Sequence, residues 1–389
     1  MTAFFKKLAI FVFIIGLLKP AGGIGMDEYA YAIRYELEKN ESGIFNTATL
    51  DQISILNDKI KHSQRVDLGY NSFTVLDRNR LIMCDNGYRE GEGKVDIFDF
   101  AKNKVTKTLC LTGKYPKAAV LAKDKIIIVS QKNRYVDIGI AGHKDVRIFF
   151  QPCFEIFDRN TFLKIGEIDL RDGDNVEERM GLGCDKTKLF FITWNALGSG
   201  EEYGLLGKID LQAGILLKQI GYQPFFGAGK WVAVSTNNKL YLSAVYTLPM
   251  KQKNGETKPE LNNQLFVLDA SDLSFIKTIS IGVLAEQLTY VSDINRLYIA
   301  HASWDERTPQ YIEVLDCATD KIIKKIPVKG FRRMSYVGNH KLYVTHSGGP
   351  LFGSDGSGGI LVIDVKSNKV IKKIPGEYAP VSYNFEPVD

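Results

Sequence analysis

From Asp51 onward, short runs of apolar, β-branched and aromatic residues alternate with polar breaks. One kind of run always ends on an acid or amide: ISILN to Asn57, VDIFD to Asp99, FEIFD to Asp158, GKID to Asp210, LFVLD to Asp269, IEVLD to Asp316 and LVID to Asp364. Runs this short, with turn residues at both ends, read as strands. The seven units are separated by 42, 59, 52, 59, 47 and 48 residues, near the roughly 40–50 of a four-stranded propeller blade with variable loops. The terminal Asp can accept hydrogen bonds from backbone N–H groups two residues on, which gives it a turn-closing role rather than a catalytic one.

A second kind of run lies upstream of each turn: RLIMC from Arg80, KIIIV from Lys125, KLFFI from Lys188, KLYLS from Lys239, RLYIA from Arg296 and KLYVT from Lys341. A third follows the turn and is rich in Lys and Ile, with IKKIP identical at Ile323 to Pro327 and at Ile371 to Pro375. Lys and Pro suit an outermost strand, because they block edge-to-edge pairing. The pattern predicts an all-β, seven-bladed propeller of four-stranded antiparallel blades, with repeats over about residues 51–376. The first unit lacks a clear second strand, and Tyr29 to Glu38 fits either a strand or a short helix. A lone strand-like run at 379–385 is expected to close the ring by supplying the inner strand of that first unit, so that no edge remains.

LYIAH…IEVLDCATDKIIKKIPVKG and LYVTH…ILVIDVKSNKVIKKIPG resemble the YVTN-type β-propeller repeat, whose units read roughly LYVAN…VSVIDTATNKVVATIPVG. The resemblance is strongest in the last two units. It implies a propeller fold, and it spans binding scaffolds, surface proteins and enzymes, so function has to come from the site.

Ahead of the repeats stand Lys6 and Lys7, an apolar run from Leu8 to Leu18 and small residues from Ala21 to Gly25, the order of a secretory signal peptide. Eleven apolar residues fall short of the roughly 20 a spanning helix requires. Residues 1–25 are therefore expected to be a signal peptide and 26–389 one exported domain, periplasmic, secreted or at the cell surface, monomeric and without an anchor. Removing Lys6, Lys7 and Lys19 lowers the formal charge from +5 to +2, which gives no case for nucleic-acid binding. The five Cys show no CxxC or zinc spacing; buried small hydrophobes, with one disulfide allowed, is the expectation.

Candidate chemistry sits where the loops between second and third strands gather, on one face of the ring. Uneven loops, including 131–152 and 246–263, predict a raised wall over the units around Asp158 and Asp269. His301 and His346 share one repeat position, five residues after the Arg or Lys that opens the second strand, and Asp85 takes that place in another unit. These three are the candidate ligands for a divalent metal at the channel mouth, with structural hydrogen bonding the simpler role. Lys117, Arg179, Arg332 and Arg333 precede or enter the inner strands and could attract an anion. Trp194 and Trp304 beside the loops suit a peptide or glycan surface. No GxSxG, P-loop, HExxH or complete calcium loop occurs. A non-enzymatic scaffold for a protein, glycan or small anionic ligand is the first reading. The alternative, which the resemblance to metal-dependent propellers implies, is a hydrolase or lactonase with its site at the channel mouth.

Overall fold

Apolar runs of about six residues between Asp, Asn and Gly turns are too short for stable helices and long enough to cross a sheet. Each becomes a strand in the computed structural model, which describes residues 14–15, 29–40, 43–66, 70–77, 79–85, 93–137, 146–170, 180–185, 187–193, 205–221, 229–244, 263–302, 310–346 and 358–376. Blade 1 holds β1 (Ile14–Ile15), β2 (Tyr29–Asn40), β3 (Gly43–Ser54) and β4 (Lys59–Val66); blade 2 holds β5 (Tyr70–Val75), β6 (Arg80–Asp85), β7 (Lys94–Asp99) and β8 (Lys104–Leu109). Blade 3 holds β9 (Lys114–Leu121), β10 (Lys125–Asp137), β11 (Val146–Asp158) and β12 (Lys164–Asp169); blade 4 holds β13 (Met180–Cys184), β14 (Lys188–Thr193), β15 (Leu205–Asp210) and β16 (Ile215–Gly221). Blade 5 holds β17 (Gly229–Val234), β18 (Lys239–Ala244), β19 (Gln264–Asp269) and β20 (Phe275–Ser280); blade 6 holds β21 (Ala285–Val291), β22 (Arg296–His301), β23 (Tyr311–Asp316) and β24 (Lys321–Pro327). Blade 7 holds β25 (Phe331–Tyr336), β26 (Lys341–His346), β27 (Gly359–Asp364) and β28 (Lys369–Pro375). Each blade is an antiparallel four-stranded sheet in sequence order from inner to outer strand.

The acids that end the third strands close turns, as their position predicts. Asp99 Oδ1 accepts the Lys102 N–H at 3.1 Å, Asp210 that of Ala213 at 2.7 Å, Asp316 those of Ala318 and Thr319 at 2.9 Å, and Asp364 that of Ser367 at 2.7 Å. Four residues after each third strand ends, the chain passes through the left-handed region at Asp58, Asn103, Phe162, Gly214, Leu273, Asp320 and Asn368. Asp58 fixes the frame of the first blade. Its third strand ends at Ser54, not at Asn57, so the expected unit boundary lay three residues late.

Those left-handed residues are where neighbouring blades interlock. Lys239 Nζ lies 2.6 Å and Tyr241 Oη 3.1 Å from the Asp320 carboxylate of blade 6. Arg296 Nη1 and Tyr298 Oη both donate to the Val365 carbonyl of blade 7, beside Asn368. Lys341 Nζ and Tyr343 Oη donate to Asp58 Oδ1 of blade 1 at 2.8 and 2.6 Å. Where the turn residue is apolar the partner changes with it: Arg80 stands over the Phe162 ring at 5.6 Å, and Phe190 shares a core cluster with Leu273. The KLY and RLY strings are thus latches as well as strands. The latch from blade 7 to blade 1 closes the ring, and it sits on a core that joins Tyr343, Ile360 and Val362 to Ile33, Leu50 and Ile53.

Three expectations need adjustment. The ambiguous stretch around Tyr29 is the missing second strand of blade 1 and is no helix. Most of 131–152 is strand, because β10 and β11 pair from Lys125↔Asp158 out to Asp137↔Val146. The inner position of blade 1 holds Ile14 and Ile15, paired with Ala32 and Tyr31, while the run 379–385 lies outside the described residues. No helix among the described residues is long and apolar enough to cross a membrane.

All five cysteines are free thiols, so the allowed disulfide is not formed; Cys84, Cys153 and Cys317 are buried and Cys110 is exposed. Burial pushes the Cys84 and Cys153 thiols up to about 12 and Cys317 up to about 11, which keeps them protonated and inert. A colorimetric thiol reagent is expected to titrate Cys110 first in the native protein, and Cys110→Ala should remove that fast phase. Fast reaction at Cys317 would contradict the core described here.

Candidate functional site

Three residues before the end of the third strand, four blades carry a buried acid: Asp51, Asp96, Glu155 and Glu313. The position alternates with the apolar residues of its strand. Glu155 accepts the Thr112 and Gly113 N–H groups at 2.8 and 2.9 Å, Ser130 Oγ at 2.9 Å and Lys164 Nζ at 2.8 Å. Glu313 accepts the Gly282 N–H and His301 Nε2, both at 3.0 Å, and pairs with Lys325 at 2.9 Å. Asp96 accepts Tyr70 Oη at 2.5 Å and Thr108 Oγ1, and Asp51 takes a two-pronged contact from Arg34. Each acid stitches strands of its own blade together, and in blades 3 and 6 it also holds the incoming loop.

Burial alone would raise the Glu313 carboxyl, but the donors from His301, Gly282 and Lys325 outweigh it and hold it at about 2. The same contest, with Lys164, Thr112, Gly113 and Ser130 as donors, holds Glu155 below its ordinary range. Glu155 has donors on all of its roughly four lone-pair sites and Glu313 on three of them, so neither is placed as an open proton acceptor for a substrate. Their sequence signal is an acid inside an apolar strand, as in VDIFD, FEIFD and IEVLD.

Asp85, His301 and His346 do occupy one register position, opposite Tyr70, Ala285 and Phe331 of their inner strands. His301 is nevertheless spent inside its blade. Its Nδ1 lies 2.8 Å from the Val283 carbonyl, its Nε2 bonds Glu313, and its ring packs on Tyr311 at 4.8 Å. Among the described residues His301, His346 and Asp85 do not converge as a ligand set; the group of ligand atoms that does is Cys153, Glu167 and Asp169. Lys132 already brings a cation there, bonding Glu167 and lying 3.0 Å from Asp169.

The inner strands bulge near the loop face. Pairing slips at Asn71, Lys230, Glu286 and Arg332, each the second residue of its strand. The same backbone slip recurs in four blades at the end of the channel where the loops gather. Arg332 is one of these positions, with Arg333 next to it; Lys117 is a half-buried residue of β9. Arg179, Trp194 and Trp304 lie outside the described residues.

Sequence reading predicts a raised wall over the unit around Asp158 but neither its form as a paired ribbon nor its counterpart on blade 1, and most of the 246–263 loop, expected to raise the unit around Asp269, lies outside the described residues. The second and third strands run six residues in most blades, but 12 each in blade 1 and 13 each in blade 3. The surplus continues past the ring as two-stranded ribbons rising roughly 20 Å, at about 3.3 Å per residue, on either side of blade 2. The blade 3 ribbon is braced at its root by Lys132 with Glu167 and Asp169, and by Lys164 with Glu155 and Glu167. Pairing of β9 stops at Gln131 and that of β12 at Cys153, so each ribbon strand beyond the root pairs only with its ribbon partner among the described residues. The blade 1 ribbon repeats this, since β4 pairs no further than Ala48.

No family model and no curated relative matches the chain. Among solved structures it is similar to KlHsv2 with loop 6CD replaced by a Gly-Ser linker, at TM-score 0.51 and 13% identity over 88% of this chain and 97% of that one. It is also similar to Hsv2 of Kluyvelomyces marxianus, at TM-score 0.51 and 12% identity over 88% and 95%. At such identity the likeness is one of fold, and it agrees with the blade count: the chain is a seven-bladed β-propeller.

Proposed function

We propose that this protein is an exported, non-enzymatic binding scaffold of the YVTN-repeat kind, which receives an extended segment of a protein partner against the ribbons that flank blade 2. The ribbon edges, which have no further strand partner among the described residues, carry this reading. A row of N–H and C=O groups along an unpaired strand edge is a template for a further strand, and a protein chain supplies one where a glycan or small anion does not. That Glu155, Glu313 and His301 are committed to bonds within the blades supports a binding role over hydrolysis. Export rests on the Lys6 to Gly25 segment.

The test is to replace residues 133–150 of the blade 3 ribbon with an Asn-Gly turn and compare proteins captured from the native compartment by the two forms. The shortened form is expected to melt within a few degrees of the parent and to lose the specific partner. A partner retained in full by the shortened form would refute the ribbon as the docking element.

A further inference from the structure

The outer strands differ in charge around the ring. In blades 6, 7, 1 and 2, which follow one another around it, β24, β28, β4 and β8 hold three, three, three and two Lys or Arg, eleven in all, and no acid. The outer strands of the other three blades, β12, β16 and β20, hold one Lys each, and β12 adds Glu167 and Asp169. The whole chain has a formal charge of only +5, so the cations of this arc are a local field and not a share of a general excess.

Structural duties account for part of them. Lys218, Lys277 and Lys372 hold one register position, opposite the third-strand residue two before its end, and each reaches across a seam: to the Asp272 carbonyl, the Asp320 carboxylate and the Asn57 carbonyl. Protection of an open edge does not require more, since β16 and β20 carry no other charged residue. The surplus is ordered. Lys59, Lys104, Lys321 and Lys369 open their outer strands, each opposite the last residue of the third strand, so they stand at one height on four neighbouring blades. All four are exposed, and none has a side-chain hydrogen bond or ion pair among the described residues. The acids beside them are engaged elsewhere: Asp99, Asp316 and Asp364 close turns, and Asp58 and Asp320 hold latches. In blade 4 the same position is Ile215.

We propose that this row of lysines is the centre of a binding rim for a linear acidic polysaccharide, whose carboxylate or sulfate groups it meets along the outside of blades 6, 7, 1 and 2. Spaced ammonium groups act as point charges and suit anionic groups repeated along a chain. From the first to the last of these blades the ring turns through roughly 150°. A flexible polymer follows that convex course, whereas a flat bilayer meets one or two blades of it. The four strands hold no Phe, Tyr or Trp, so the bases of a nucleic acid find no ring to stack on. The rim is independent of the partner reading, because it lies on the outer wall and the ribbons rise from the loop face.

The experiment measures binding of the full chain as expressed to heparin and to polygalacturonate, with neutral dextran, a thymidine oligonucleotide and phosphatidylglycerol vesicles in parallel. The parent is compared with a variant that carries Lys59→Gln, Lys104→Gln, Lys321→Gln and Lys369→Gln together. The parent is expected to bind both acidic polymers, more weakly as salt rises, and to ignore dextran. The variant is expected to bind them roughly tenfold or more weakly at about 50 mM salt, with a shallower salt dependence, and to melt within about 2 °C of the parent, because exposed side chains are being changed. Undiminished binding by the variant, or parent binding no tighter than to dextran, would overturn the rim. Tighter binding to the oligonucleotide or the vesicles than to either acidic polymer would overturn the choice of occupant.

Discussion

Replacing Tyr343 with alanine is expected to lower the unfolding free energy by about 4 kcal/mol, the range for removing a buried aromatic side chain. The side chain is fully buried at the junction of the last and first blades, in a core shared by both. Its hydroxyl donates to Asp58, and burial together with that carboxylate raises the phenol well above its usual range, so it stays a donor at every working pH. Tyr343→Phe keeps the ring and removes one hydrogen bond, while Asp58 retains Lys341 at 2.8 Å. Its expected cost is about 1 kcal/mol. Urea midpoints of the two variants separate the contributions: equal losses would mean that the hydroxyl, not the packed ring, secures the closure.

Glu313→Ala is expected to cost about 3–5 kcal/mol, because it strands the buried His301 and the Gly282 N–H around a gap, while the exposed Lys325 turns to solvent. Glu313→Gln keeps the shape and removes the charge, and pH exposes the difference. The folded carboxyl sits at about 2 against roughly 4.3 in an unfolded chain. A depressed folded pKa stabilises fully above the unfolded value, and that contribution is lost as pH falls from about 5 through 2. Its size is on the order of 3 kcal/mol. Wild-type urea midpoints should therefore drop between pH 5 and 3 more steeply than those of Glu313→Gln. Parallel curves would show that Glu313 does not carry the acid sensitivity.

Much of the ring was legible because its local signals agree with one another. A Lys or Arg opening an apolar run, and an Asp closing the next, mark two edges of every hairpin from blade 2 to blade 7. The first blade was misframed because Ser54 stands where the other third strands end on Asp, and Asn57 imitated the missing acid. The 131–152 stretch reads as a raised loop and not as paired strands because it mixes Arg, Asn, Gln and Gly with its apolar residues, and pairing beyond the ring needs no buried face to pattern it. The buried acids were legible in principle, as charges inside strands that ought to be apolar. His301 was singled out correctly as a repeat position, but its direction depends on Glu313, twelve residues away across a hairpin.

The latch residues give each blade an address. Blades 5, 6 and 7 present Lys or Arg with Tyr, and blades 6, 7 and 1 receive with Asp320, Asn368 and Asp58; blade 2 presents Arg80 to Phe162, and blade 4 presents Phe190 to Leu273. Near-identical neighbours such as blades 6 and 7 can be transposed with each other, since each hands on and accepts the same kind of grip. Blade 3 moved into that arc would offer a phenyl ring where a tyrosine hydroxyl looks for an acceptor. The order of the repeats is thus written at their seams, and a rearranged gene could assemble only along the run of matching seams.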